Sequence, residues 1–487
     1  MTIPPRVMRV LLALVDARGL VVTRDELADR CWQGRFVAED SLNGTIAELR
    51  KALRAVCAND VRVETVPKTG YWLSSPISVE QSARTTPSDR SAGVEPTKVL
   101  LNRRLLIAVS SAAAVAAMGG AWWLSSGPAD AEVTLLVEQG ARALREGLPE
   151  SGTVAVALFS RALQRDPGSA KAWGMLALAW RATAEYGDPE NIAKARANAE
   201  TAAKRALALD NNQSDALTAL ATLTPAFGDW IDAERRIRKV LAVDPANGFA
   251  VAALATILMS TGQVQACLER LDWLQQEYPL SPDLQFRRIY TLWSAGHLAD
   301  MDRTADRALQ AWPLHPAVWF ARLWTLAFTG RTAAALAMLV DAAARPAMPL
   351  QALDILSTSM RALATNAADD VRAAVSANLT AASRGPGQAT CAIMVLSQLK
   401  ASESAFEVAQ GHFVRQGPVV VQSRHTLAQT SLTDQYHRMT MVLWIPATEA
   451  LRLHPDFRSL CDHIGMVDYW RATGTRPEFN KGSLAIV

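Results

Sequence analysis

GDWIDAERRIRKVLAVDPANGFAVAALATILMSTG, residues 228–262, begins and ends on glycine and carries a proline midway, and both marks recur along the chain. Gly228, Gly262, Gly296 and Gly330 are evenly spaced, and Pro245, Pro279 and Pro313 keep the same period. Glycine readily takes the left-handed backbone that ends many helices, and proline cannot continue one. Alternating along the chain, the two predict a helix, a tight turn, a second helix and a stop, over and over. A unit of this size buries its apolar face only against its neighbours, so the pattern predicts a mostly α, solenoid-like stack of helical hairpins. Within the first helix of successive units the central inward slot holds Ala177, Ala221 and Ala255, which let paired helices approach. Ile289 and Leu323 break that rule and predict looser packing there.

The length of that period and the run Phe159-Ser-Arg-Ala162-Leu-Gln-Arg-Asp-Pro167 resemble the tetratricopeptide repeat. The resemblance implies five or six hairpins over residues 130–348, stacked into a superhelix whose concave groove holds a protein or peptide partner. Between Pro167 and Asn211 the spacing is ten residues too long, and Gly187-Asp-Pro-Glu predicts an extended loop inside that unit. Residues 349–487 form a C-terminal extension. Its early part, residues 350–384 and 389–413, reads as further helices in a looser register. Its end gathers Phe457, Tyr469, Trp470 and Phe479 and is expected to cap the exposed end of the solenoid.

Ahead of the repeats, residues 105–124 read LLIAVSSAAAVAAMGGAWWL and contain no charge. Twenty residues rising ~1.5 Å each span a hydrocarbon core of ~30 Å. Lys98, Arg103 and Arg104 precede the run, while Asp130 and Glu132 follow it, and Trp122 and Trp123 stand at its outer end. By the positive-inside rule this predicts one transmembrane helix over residues 104–125, with a cytoplasmic N-terminus and a periplasmic C-terminus. The alternative is an alanine-rich buried helix of a soluble protein. Residues 76–103, rich in Ser, Thr and Pro, read as a flexible linker.

Residues 1–75 read as a separate domain. Val7, Val10, Leu11 and Leu14 form one stripe of a first helix. Thr23 and Glu26 make a capping box for a second, whose inner face is Leu27, Ala28, Cys31 and Trp32. A third helix, residues 41–56, buries Leu42, Ile46, Leu49, Leu53 and Val56 and leaves Asn43, Gly44, Ala47, Arg50, Lys51 and Arg54 on its other face. VRVETV and YWL, joined by Pro67-Lys-Thr-Gly70, predict a β-hairpin. The segments VVTRDELADRCW, EDSLNGTIAELRKAL and VETVPKTGYWL, in that order, resemble the OmpR-type winged-helix effector domain. The resemblance implies a winged helix of three helices plus a β-hairpin wing that binds double-stranded DNA. Carried over position by position, it marks Asn43, Thr45, Ala47, Arg50, Lys51 and Arg54 for the groove and phosphates, and Lys68 and Thr69 for the wing. The chain departs from the family in lacking an antiparallel sheet before the first helix and a receiver domain.

Composition excludes other classes. Over 487 residues a net charge of +3 is too mild to signal nucleic-acid binding by itself. The five cysteines form no metal-ligand pair, so zinc is not expected, and they read as isolated buried thiols, a Cys391–Cys461 disulfide being the alternative. No phosphate-binding glycine loop, HExxH or nucleophile elbow is present, so neither an enzyme nor a cofactor is expected. The order of parts is similar to that of the ToxR-like and CadC-like membrane activators. The resulting expectation is a one-component transcriptional regulator anchored in a bacterial inner membrane, binding DNA as a homodimer. Two alternatives stand beside it: a soluble regulator with the same parts, and a repeat scaffold whose winged helix binds protein.

Overall fold

The computed structural model describes residues 128–186, 189–421 and 438–478 and, nearer the N-terminus, residues 7, 10–11, 13–14, 22–23, 27, 45–46, 48–50, 62–66 and 70–74. The chain divides into two compact units, Met1–Arg103 and Arg104–Val487.

In the first unit, β1 (Val22–Thr23), β2 (Arg62–Val66) and β3 (Gly70–Ser74) form an antiparallel sheet with β3 central. Val63 pairs with Leu73, and Tyr71 pairs with Thr65 on one side and Val22 on the other. Side chains alternate faces along a strand. Val63 and Tyr71 therefore share the inner face, and both are buried with Val7, Val10, Leu14, Leu27, Ile46 and Leu49. β1 is an addition to the two strands expected. The hairpin tip, residues 67–69, and the bounds of the three expected helices lie outside the described residues, so the winged-helix class is narrowed here to a three-stranded sheet on an apolar core.

The second unit is helical. Its pairs are α1 (Pro128–Glu146) with α2 (Ser151–Arg165), α3 (Ala170–Tyr186) with α4 (Pro189–Leu209), α5 (Ser214–Leu223) with α6 (Trp230–Val243), and α7 (Gly248–Ser260) with α8 (Val264–Glu277). Then follow α9 (Pro282–Ser294) with α10 (Leu298–Ala311), α11 (Pro316–Phe328) with α12 (Thr332–Val340), α13 (Leu350–Thr365) with α14 (Ala368–Ala382), and α15 (Pro386–Gln398) with α16 (Ser402–Phe413). The C-terminal segment adds 3-10 turns at Arg438–Trp444 and Pro446–Thr448 and the short helices α17 (Glu449–Arg452), α18 (Phe457–His463) and α19 (Met466–Thr473).

The repeat is a backbone device. Gly228, Gly262, Gly296 and Gly330 all sit at φ between 79° and 81°, in the turn between the paired helices. A second periodic element went unread in the sequence. Gln213, Asn247 and Ser281 are N-caps, each accepting a backbone N–H of the first turn of α5, α7 and α9. Caps of this kind satisfy amides that a helix start leaves unbonded.

Four expectations are corrected. No helix among the described residues is long and apolar enough to cross a membrane. The expected fold class, which included a transmembrane helix, therefore becomes mostly α, with a helical solenoid and a small three-stranded sheet. Even α4, which runs for 21 residues, carries Lys194, Arg196, Glu200, Lys204 and Arg205. Residues 105–124, on which that expectation rested, lie outside the described residues. Second, most of the surplus after Pro167 is helix: α3 has 17 residues and α4 has 21, starting at Pro189, whereas α7 and α8 have 13 and 14, while Gly187 and Asp188 of the expected loop lie outside the described residues. Proline suits a first helical turn, where its missing N–H costs nothing. Third, Ile289 and Leu323 are fully buried, so larger side chains are packed at those slots instead of loosening them. Fourth, the C-terminal segment does more than cover the last hairpin, α15 and α16, and Phe479 of the expected aromatic cluster lies outside the described residues. The segment packs across α15 and back against α6 and α7, in the third and fourth hairpins, because buried indoles there find backbone carbonyls to bond.

Candidate functional site

Of the eight residues marked for DNA, Thr45 and Arg50 are described; Asn43, Ala47, Lys51, Arg54, Lys68 and Thr69 lie outside the described residues. Thr45 is only 7% exposed, next to Ile46 in the core. Arg50 is half-buried, and its Nε donates to the carbonyl of Val63 on β2 at 2.9 Å. The Arg50 side chain thus helps hold the third helical segment against the sheet, and Thr45 is buried. Family position marked them for the groove, and Val63 is the partner that sequence spacing could not supply.

Inside the helical unit the solenoid curls until distant hairpins meet. Ser281 Oγ donates to the carbonyl of Arg145 at 2.9 Å, a His315 ring nitrogen lies 2.9 Å from the carbonyl oxygen of Glu146, and the Arg145 guanidinium sits 4.7 Å from the centre of the Tyr278 ring. The first hairpin is thereby fastened to the starts of α9 and α11. The C-terminal segment fastens a second place. Trp444 Nε1 donates to the Ser260 carbonyl at 2.7 Å, Trp470 Nε1 to the Thr261 carbonyl at 2.8 Å, and the Glu478 amide to the Gly262 carbonyl at 2.8 Å. Trp230 Nε1 reaches the Ile464 carbonyl in return, and Tyr469 Oη donates to Glu234 at 2.7 Å. The last carbonyls of a helix lack partners within it, so the end of α7 is a ready acceptor for three donors. Trp444, Phe457 and Trp470 stack edge to face over this joint, and burial holds the Tyr469 hydroxyl above its usual range, helped by Glu234.

Two adjoining cavities remain, of about 210 and 610 Å³. The larger lies on the inner side of α7, α9, α11, α13 and α15, and Met441, Val442 and Ile445 of the C-terminal segment close part of it. The concave face where a peptide was expected is therefore partly filled by this chain itself. Phe286, Tyr290, Phe320 and Trp324 form its aromatic wall. Phe286 and Phe320 are one repeat period apart, as are Tyr290 and Trp324, so the wall is one pair of slots used in two successive repeats. That spacing was available in the sequence and was missed. Charge in the wall is mostly compensated: Arg287 Nε donates to Asp283 at 2.9 Å and Nη1 to Thr256 Oγ1 at 2.7 Å, and Arg181 Nη1 pairs with Glu185 at 2.7 Å.

Tyr290 and Cys391, both lining the larger cavity, are half-buried by area. Yet burial raises the Tyr290 hydroxyl far above its ordinary range and the Cys391 thiol to about 12. The surface these two expose therefore faces the cavity and not bulk water. Cys267 shares the wall and is likewise pushed up by burial to about 12. Cys267, Cys391 and Cys461 are all free thiols, so the alternative Cys391–Cys461 disulfide is not formed.

Residues 1–73 match a family described as "Transcriptional regulatory protein, C terminal". Over 81 residues the chain is 37% identical to the transcriptional activator CadC of Escherichia coli (strain K12), an alignment covering 16% of this chain and 15% of that protein. Over 83 residues it is 39% identical to the cholera toxin homolog transcriptional activator of Vibrio parahaemolyticus (serotype O3:K6, strain RIMD 2210633), covering 15% and 28% respectively. The similarity thus spans a small part of each relative. Among solved structures, Pseudomonas aeruginosa pilF aligns at 15% identity and TM-score 0.29, over 44% of this chain and 91% of that one. Yeast Tom70 aligns at 12% identity and TM-score 0.31, over 69% and 68%. These likenesses are weak, and the helical unit's architecture rests on its own repeat geometry.

Proposed function

We propose that this chain is a one-component transcriptional regulator, whose N-terminal unit binds double-stranded DNA and whose helical unit receives the signal. The match of residues 1–73 to a transcriptional regulatory family carries the reading. The described core supports it: Thr45, Ile46 and Leu49 point inward. Asn43, Ala47, Lys51 and Arg54 follow one another at intervals of four, four and three, the spacing of a single helical face. We assign the groove and phosphate contacts to that set, with Lys68 and Thr69 on the hairpin tip, and two copies on adjacent half-sites. Arg50 serves the fold first. Placement of the helical unit outside an inner membrane is part of the proposal on sequence grounds alone, from the uncharged run and its asymmetric flanks. Alkaline phosphatase fused after Val487 tests it, and an inactive fusion removes it.

The DNA reading is tested by titrating the purified chain against a duplex of about 30 base pairs at several salt concentrations. Lys51→Ala and Arg54→Ala should each weaken binding and lower the salt slope by roughly one, since each removes a phosphate contact. Arg50→Ala should in addition lower the melting temperature, because it deletes the bond to Val63. Unchanged affinity in both Lys51→Ala and Arg54→Ala would remove this helix from the DNA interface.

A further inference from the structure

We propose that the larger cavity of the helical unit is the binding site of a small, mostly apolar organic anion, one or two rings in size with a single carboxylate-like group. At about 610 Å³ the cavity falls within the range of small-molecule sites, roughly 300–1,000 Å³. Its walls are what such a ligand requires. Phe286 and Phe320 offer flat aromatic surface and Ile355 and Met441 aliphatic surface, while Trp324, Met394 and Val442 of the same lining are almost fully buried.

The polar groups decide the class. Tyr290 Oη bonds no described residue, although its ring is set firmly against Phe286 and Trp293. It is a fixed donor facing the cavity. Asp283 is held by Arg287 and Glu185 by Arg181, so these four side chains cancel in charge. Arg384 also lines the cavity; it is exposed at the rim and forms no ion pair with a described residue. Among the described lining residues, Arg384 is thus the uncompensated positive charge and Tyr290 Oη an unbonded donor; Ser260 Oγ, buried and without a partner among the described residues, is a second polar atom of the wall, and Gln351 and Gln388 line the exposed part. A neutral apolar guest would leave Arg384 unused, and a cation would be repelled by it. An anion with its apolar body inside and its charge at the rim satisfies Arg384 and Tyr290, and the guanidinium presents a fork suited to a carboxylate.

The ligand has a structural consequence. Because Met441, Val442 and Ile445 form part of the wall, a bound molecule stabilises the C-terminal segment in its docked position. That this occupancy is the regulator's signal rests on the function proposed above; the binding itself does not.

The experiment uses the full chain and the fluorescent aromatic sulfonate 8-anilinonaphthalene-1-sulfonate, with 2-naphthoate and its uncharged isostere 2-naphthamide as competitors. The expected result is one saturable probe site, displaced by 2-naphthoate at a concentration about tenfold lower than by 2-naphthamide. Arg384→Gln, at the exposed rim, should erase that preference while leaving the melting temperature unchanged. Tyr290→Phe should weaken both competitors about threefold to tenfold. Ala352→Trp, filling the cavity from α13, should abolish the probe signal with helix content retained. Equal displacement by the two competitors, or an undiminished preference in Arg384→Gln, overturns the proposal. So does unchanged probe binding in folded Ala352→Trp, and if that variant does not fold, the Arg384 and Tyr290 variants decide. Failure of DNA binding in the separate titration leaves every one of these outcomes readable.

Discussion

The third to sixth hairpins and the last two all place a left-handed residue in the turn between their helices, but not the same residue. In the former the left-handed position is Gly228, Gly262, Gly296 or Gly330; in the latter it is Asn366 at φ 50° and Lys400 at φ 59°. Asn366 and Lys400 are themselves one period apart, so the repeat resumes after a slip of two residues between Gly330 and Asn366. What stops is the glycine that announces it. The backbone requirement is the constant feature of the architecture along the chain, and glycine is only its least costly solution, since a Cβ in the left-handed region meets the following carbonyl at a cost of roughly 1–2 kcal/mol. Asparagine tolerates that region better than most residues, and lysine does not.

The glycine turns differ among themselves too, and the sharpest test exploits this. A Cβ at Gly296 or Gly330 meets nothing within 4 Å, whereas at Gly262 it would come within 2.7 Å of Pro477 Cβ and 3.1 Å of Pro477 Cα. Gly296→Ala and Gly330→Ala should therefore cost only the turn strain, about 1–2 kcal/mol. Gly262→Ala should cost about 3 kcal/mol or more, because it also pushes the C-terminal segment off the end of α7. Urea unfolding of the three variants side by side checks the ranking. Equal losses would mean that the segment is not seated on this turn.

A smaller effect tests whether the glycine-free hairpins are packed as tightly as the others. Cys267 lies in α8 of the fourth hairpin and Cys391 in α15 of the eighth, and burial raises both thiols from the ordinary value of 9.0 to about 12. The sign follows from proton binding. Above pH 9 the unfolded chain releases these protons while the folded chain keeps them, so stability is intact below pH 9 and falls as the pH climbs towards 12. At pH 10 each thiol should cost about 1 kcal/mol relative to pH 8. Replacing either cysteine by alanine should remove its share of the alkaline loss, and by the same amount at both positions. A flat response at Cys391 alone would show that the eighth hairpin admits water to its core.

How much was legible follows from what each feature needs. Hairpin period, helix pairing and apolar slots are local properties of sequence, and glycine and proline spell them out. The strand register of Val63 with Leu73 also follows from alternation and a short turn. The closure of the solenoid was not legible, because Ser281 to Arg145 and Trp470 to Thr261 join residues more than a hundred positions apart through backbone carbonyls. A carbonyl acceptor leaves no trace in residue identity. The cavity stood between these cases: Tyr290 and Trp324 repeat at the period of the fold, and aromatic side chains at repeated slots are easily taken for core. For the DNA face, family position selected Thr45 and Arg50, yet the burial of Thr45 and the bond of Arg50 to Val63 give them a structural part that helix spacing alone did not reveal.

The smallest effect bears on the comparison most directly. Lys400 follows α15 in a left-handed turn closed by the Ala401 amide donating to the Leu396 carbonyl at 2.9 Å. The turns at Gly262, Gly296 and Gly330 close in the same way, with Gln263 donating to Leu258 at 2.8 Å, His297 to Leu292 at 2.9 Å and Arg331 to Leu326 at 3.0 Å. If the two classes of turn share one geometry, Lys400→Gly relieves strain in the folded state but gives the unfolded chain more freedom to lose. The first term outweighs the second at a left-handed position, so the variant should gain about 0.5–1 kcal/mol. Asn366→Gly should gain less, because asparagine already accepts this backbone. A loss of stability in Lys400→Gly would mean that the lysine is held there by its side chain, and that the last hairpins are a different unit and not the same repeat under another spelling.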